Sequence, residues 1–133
     1  MLDTVVRGGV VVTPTGTGRF DVAIQDGRIA AVGAPGTFTQ DVANIVEADG
    51  ALVIPGGIDP HVHTNWPIPA KDGTVTHSAS PQHIGRAALF GGTTTLVDFA
   101  VADCTPETEI ADAIEAKQKE WADAETDYSF HVL

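Results

Sequence analysis

The first half of the chain alternates short β-branched runs with turn formers. Val5-Val6-Arg7-Gly8-Gly9-Val10-Val11-Val12 is an extended run split by a glycine pair, and Thr13 to Gly18 reads as a loop. Asp21 to Gln25 alternates, with Val22 and Ile24 on one face. Asp26-Gly27 separates it from Arg28-Ile29-Ala30-Ala31-Val32, and Asp-Gly between two such runs predicts a hairpin with a type I′ turn, which needs positive φ. Gly33 to Gln40 reads as loop, Asn44 to Ala48 as a strand, and Asp49-Gly50 as a second tight turn.

Beyond Leu52-Val53-Ile54 and a Pro-Gly-Gly break, the pattern changes. Pro81 to Phe90 reads as a helix, with Ser80 as its cap, Pro81 in its first turn, Gly91-Gly92 at its end and Ile84, Ala87 and Ala88 as its apolar stripe. Thr93 to Phe99 is a strand of the buried type. Thr105 and Pro106 open a second helix of about four turns, running to Ala124, with Ile110, Ala113, Ile114 and Trp121 at helical spacing. Asp127 to Leu133 is a third strand. A β-rich lobe is therefore followed by β-α-β-α-β, the order of a parallel sheet with both helices on one side. The chain stops at Val132-Leu133, inside an apolar strand. One face of such a sheet would be left bare, so a longer protein or a covering partner is expected.

Composition narrows the function classes. The 133 residues are 43% hydrophobic and 19% charged, which is globular. Seven Lys and Arg against 18 Asp and Glu give a net charge of −11. That charge repels phosphate backbones and anionic lipid, so neither nucleic acid nor a membrane is an expected partner. Cys104 is the single cysteine, so no intrachain disulfide and no thiolate zinc cluster can form. With no leader-like apolar run at the N-terminus, these features fit a cytoplasmic protein. Cys104 has no basic neighbour to lower its pKa, and the acidic face of the second helix reads as a solvated surface.

His61-Val62-His63 follows Pro55-Gly56-Gly57 at the end of the first parallel strand, where α/β folds place their sites. Residues two apart in a strand point the same way, so both imidazoles can reach one zinc ion. Asp59 shares that face and could orient a ligand histidine or neutralise metal charge from behind it. The glycines let the backbone turn sharply before the site. His131, in the third strand, is a weaker third candidate. His77 and His83 read as surface or cap residues, Lys71 as a solvated loop lysine, and Asp98 as structural or pocket-shaping.

The segment Pro55-Gly56-Gly57-Ile58-Asp59-Pro60-His61-Val62-His63 resembles the first metal-binding strand of the cyclic amidohydrolases, in particular the dihydropyrimidinase and hydantoinase group. Gly91-Gly92-Thr93-Thr94-Thr95-Leu96-Val97-Asp98-Phe99, Asp127 to Val132, and the opening Gly9 to Val12 and Asp26 to Gly33 extend the resemblance over nearly the whole chain. It implies an α/β fold: residues 1–53 as the N-terminal share of a small β-sandwich, and 54–133 as the first three strands and two helices of a truncated (β/α)8 barrel. It also implies a cofactor of two zinc ions, with His61 and His63 as ligands and a bridging carbamylated lysine absent from this chain. The implied reaction opens a cyclic amide such as a dihydropyrimidine or hydantoin, by attack of a zinc-held hydroxide on the ring carbonyl. The catalytic aspartate and tyrosine are expected beyond Leu133, so this chain alone is expected to be inactive. Complete members are commonly homotetramers. Asn65 and Trp66 fall in the loop that borders the substrate pocket in this family. No arginine lies between His63 and Lys71, which disfavours the dihydroorotase branch. Asn65-Trp66-Pro67 resembles the Asn-Glu-Pro of allantoinases except at Trp66, so an allantoinase-like activity is an alternative. A non-catalytic dihydropyrimidinase-related scaffold and a short metal-binding remnant are others.

Overall fold

The structure, a computed structural model, describes residues 1–39, 41–102 and 109–133. The chain forms two compact units, Met1–Pro55 and Gly56–Leu133.

The first unit is one five-stranded mixed sheet. Strands β1 (Leu2–Thr13), β2 (Gly16–Gln25) and β3 (Arg28–Gly33) form an antiparallel meander, while β4 (Val42–Glu47) and β5 (Leu52–Val53) both pair with β1 in parallel. The stretch read as a loop from Thr13 to Gly18 is mostly strand, because β2 already begins at Gly16. Asp26 and Gly27 both have positive φ, 51° and 68°, as the hairpin expectation requires. The glycine pair has a physical reason. The register of β1 against β2 shifts between Val6 and Gly9, with Gly8 at φ 73°. Gly8 O there accepts a bond from Gly50 N at 2.8 Å, so the bulge receives the turn that carries the chain from β4 to β5. Val5, Val11, Val22 and Ala23 form the buried core of this unit.

The second unit holds a three-stranded parallel sheet in the order β10-β9-β6, built from β6 (Gly57–Asp59), β9 (Thr93–Ala100) and β10 (Asp127–Val132). Helix α1 (Pro81–Phe90) starts at Ser80, whose side chain accepts a bond from His83 N, and its end is followed by Gly92 at φ 82°. Its buried positions are Pro81 and Gly85, whereas Ala87 is exposed. Gly85 takes the inner face instead of Ala87, and a Cβ there would press on Thr126 Oγ1 at 3.0 Å. Helix α2 is described over Ile110–Trp121; the expected opening at Thr105 and Pro106, like Cys104, lies outside the described residues. Gln82 Nε2 donates to Glu120 O at 2.7 Å and ties the two helices side by side. Between β6 and α1 the chain makes a hairpin of β7 (Pro67–Pro69) and β8 (Val75–His77), which two prolines conceal in the sequence. Lys71 lies exposed in its turn.

Candidate metal-binding site

Alternation along β9 gives its two faces different chemistry. Leu96, Asp98 and Ala100 are buried on one, and Phe99 points to the other. Three imidazoles gather on the Phe99 ring, with centroid distances of 4.6 Å to His61, 4.8 Å to His63 and 4.9 Å to His131. His61 and His63 lie just past β6 in an exposed segment still tied to β9, where Val62 N donates to Val97 O at 3.0 Å.

The two histidines converge on one point. Their Nε2 atoms are 3.1 Å apart and their rings meet edge to face. Two nitrogens at about 2.0–2.1 Å from a tetrahedral zinc would be separated by about 3.3 Å. The donor pair therefore fits one zinc ion with little rearrangement. His131 is not free to join it in this geometry, because its Nε2 donates to Pro60 O at 2.9 Å. No cluster of three or more His, Cys, Asp or Glu suited to a metal occurs among the described residues.

Asp59 acts on the backbone rather than on a ring: its Oδ1 accepts the His61 amide at 3.1 Å, fixing the turn into the histidine segment. The glycines before it serve close approach. Neither Gly56 nor Gly57 has positive φ, but a Cβ on Gly56 would fall 2.1 Å from Thr94 Oγ1. The expectation of a sharp glycine turn is thus replaced by one of tight packing between β6 and β9.

After His63 the chain reverses. Asn65 has φ 50°, in the left-handed region. Its backbone amide donates to Ala79 O at 3.1 Å and its side-chain Nδ2 to Glu120 Oε2 at 3.1 Å. Trp66 is half-buried, with its ring 4.4 Å from that of His63. It also lines an open cleft of about 360 Å³ with Phe99, Ala113, Lys117 and Glu120. His77 and His83 stand apart from this group, in β8 and at the start of α1.

Behind the site lies a buried polar cluster. Asp98 is fully buried. Its Oδ2 accepts from Thr64 Oγ1, from Trp121 Nε1 at 3.0 Å and from Lys117 Nζ at 3.0 Å. Its Oδ1 accepts from Phe99 N at 2.8 Å and Thr64 N at 3.3 Å. Burial pushes the Asp98 carboxyl up, but the bonds from Thr64, Phe99, Lys117 and Trp121 outweigh it and hold the group below its ordinary value. Sequence reasoning missed Lys117, which is only 7% exposed. The signal was present: Lys117 sits three residues after Ile114 and four before Trp121, on the apolar stripe of α2.

No family model matches the chain. Among curated proteins it is 41% identical to a D-hydantoinase of Streptomyces coelicolor over 98% of this chain and 27% of that protein. It is 37% identical to a dihydropyrimidinase of Rattus norvegicus, over 96% of this chain and 24% of the relative. An allantoinase of Bacillus velezensis matches less extensively, at 36% identity over 86% of the chain and 23% of the relative. Among solved structures, a D-hydantoinase from a Bacillus species superposes with a TM-score of 0.82 and 37% identity, over 98% of this chain and 27% of that one. The mixed sheets and two helices match the N-terminal domain of hydantoinase structures. The chain is thus a homologue of the D-hydantoinases and dihydropyrimidinases, and it spans about a quarter of the length of the relatives it matches.

Proposed function

We propose that this chain supplies the N-terminal part of a zinc-dependent cyclic amidase that opens dihydropyrimidines or hydantoins at the ring amide. The 3.1 Å convergence of His61 and His63 Nε2 atoms carries this reading, because it makes a ready two-nitrogen half of a zinc site. The relatives named D-hydantoinase and dihydropyrimidinase supply the substrate class. In this reading residues 1–53 belong to a small β-sandwich and 54–133 to the first strands of a (β/α)8 barrel. The complete protein would be a cytoplasmic homo-oligomer. No helix among the described residues is long and apolar enough to cross a membrane.

Bound zinc would supply Lewis acidity and activate water for attack on an amide carbonyl. The contributions of this chain are positional. His61 and His63 hold one metal position, Phe99 packs against both rings, and Asp59 fixes the backbone entering the pair. Trp66 sets a flat wall beside His63 against which a ring substituent can pack. Asn65, bound to Glu120, holds the loop that presents Trp66. In this reading the carbamylated lysine, the catalytic aspartate and the tyrosine would come from other parts of the complete protein.

Two measurements test the reading. Zinc binding by the 133-residue chain, followed by competition with a chromophoric chelator, should be lost in His61→Ala and in His63→Ala; binding that survives both substitutions overturns the metal role. The zinc-loaded chain should not hydrolyse dihydrouracil or hydantoin, since it holds only two ligands, and measurable ring opening would overturn that expectation. An allantoinase-like activity is the second reading, favoured by the Bacillus velezensis relative; a substrate panel on a complete protein containing this sequence separates the two.

A further inference from the structure

The polar cluster behind the histidines has a geometry that a purely structural ion pair does not need. His63 and Thr64 are adjacent in sequence but engage opposite faces of the sheet. His63 stacks on Phe99 with an interplanar angle of 20°, while Thr64, 1% exposed, bonds to Asp98 through both its amide and its hydroxyl. Phe99 and Asp98 are themselves neighbours on β9. Two consecutive residues of the site segment are thus locked back to back onto two consecutive residues of the strand.

Several backbone groups around this point are held as well. Ser78 Oγ donates to His63 O at 2.7 Å and accepts from Trp66 N at 2.8 Å. Lys117 Nζ donates to Thr64 O at 3.0 Å and pairs with Asp98 and with Glu120, and Glu120 in turn holds Asn65. The left-handed Asn65 is the cost of this arrangement, and such a conformation persists where its surroundings over-determine it. The histidines themselves are exposed and lie outside regular structure, so β6 alone does not fix their rings.

We propose that Asp98 is a positioning residue for the histidine pair, acting through Thr64, with Lys117 as its buried ion-pair partner. The inference rests on the metal role of His61 and His63 proposed above. Groups that hold ligands from behind change metal affinity more than their own bonds would suggest, because a chelate gains from rings already aimed.

The test uses zinc affinity and thermal melting together, on the 133-residue chain. Thr64→Val keeps the shape and the backbone bond but removes the hydroxyl. It should weaken zinc binding by about tenfold or more, in the range seen when groups behind a metal ligand are removed. Thr64→Ser, which restores the hydroxyl, should return affinity close to that of the parent chain. Leu96→Val, a core change on the same face of β9 with no polar partner, should lower the melting temperature without changing zinc affinity. If Thr64→Val leaves affinity unchanged, or Leu96→Val weakens zinc as much for the same loss of melting temperature, the positioning role is overturned. Should Thr64→Val fail to fold, Trp121→Phe removes one donor to the same Asp98 oxygen and should weaken zinc by a smaller factor; unchanged affinity there also overturns the role. Failure of the metal reading looks different, since zinc binding would then be absent in the parent chain or indifferent to His61→Ala and His63→Ala.

Discussion

Asp21 in the N-terminal unit and Asp98 in the C-terminal unit are both withdrawn from water, at 3% and 0% exposure, yet they are satisfied in different ways. Asp21 accepts backbone amides, Gly8 N at 3.4 Å and Gly36 N at 2.7 Å. Both donors sit in left-handed glycines, at φ 73° and 80°, so local chain geometry aims them at the carboxylate. Asp98 takes only one amide from its own strand and depends otherwise on Thr64, Lys117 and Trp121, which come from the histidine segment and from α2. The first carboxylate fastens a sheet to its own loops. The second holds three separate parts of the fold together through side chains, one of them charged. Stability in the C-terminal unit should accordingly depend more on residue identity, and its acid sensitivity should be greater.

The sharpest way to break this contrast is to remove the cation. Lys117→Met leaves a buried, ionised Asp98 without its countercharge, and breaking a buried pair from one side costs about 3–5 kcal/mol. Urea unfolding followed by tryptophan fluorescence reads this directly, because Trp121 is itself in the cluster. The double variant Lys117→Met with Asp98→Asn should recover part of the loss, and the cycle gives the coupling between the two residues. Asp21→Asn should cost less, about 1–3 kcal/mol, since it removes an acceptor from buried amides without stranding a charge. Equal losses for Lys117→Met and Asp21→Asn would erase the distinction drawn between the two units.

Acid sharpens the same comparison with a smaller effect. Asp98 has a folded pKa below its unfolded one, so the stability it contributes is fully present above the unfolded value of about 3.9. That contribution is lost as pH falls through the lower folded value. The urea midpoint should therefore be flat, as far as Asp98 is concerned, from neutrality to about pH 5, and should decline below about pH 4. In Lys117→Met the acid decline should be shallower, because one of the bonds that hold the carboxyl down is gone. An acid limb identical in the parent chain and the variant would show that Asp98 does not govern it.

The local features of this fold were legible where one residue type meets one backbone demand. Asp26-Gly27 announces its hairpin through positive φ, and Ser80-Pro81 announces the start of α1. His61 and His63 were legible through their two-residue spacing, although the pair lies past the end of β6, and their Nε2 atoms stand 3.1 Å apart. What the pattern hides is pairing over distance. Nothing local in β1 says that β4 and β5 will line it in succession, or that Pro67 will pair with His77 and Pro69 with Val75. Lys117 was obscured because charge on a helix ordinarily marks the solvent side. Only its place on the stripe between Ile114 and Trp121, opposite an aspartate in a buried strand, reveals that it turns inward.

The smallest effect is expected at the most conspicuous ion pair of the N-terminal unit. Arg7 Nη2 lies 2.5 Å from Glu47 Oε1, with a second bond from Nε at 2.7 Å, linking the paired residues of β1 and β4. Hydrogen bonding to Arg7 holds Glu47 below its ordinary carboxyl value. By distance alone this pair outranks Lys117 and Asp98 at 3.0 Å. Its side chains, however, are 47% and 48% exposed, so water and salt screen it, and either charge can return to solvent when the other is removed. Arg7→Ala should leave the urea midpoint unchanged within error at physiological salt, with any difference confined to low ionic strength. A loss that persists in 1 M salt would mean that the Arg7 stem contributes by packing across β1 and β4, and that exposure is the wrong criterion for ranking the two pairs.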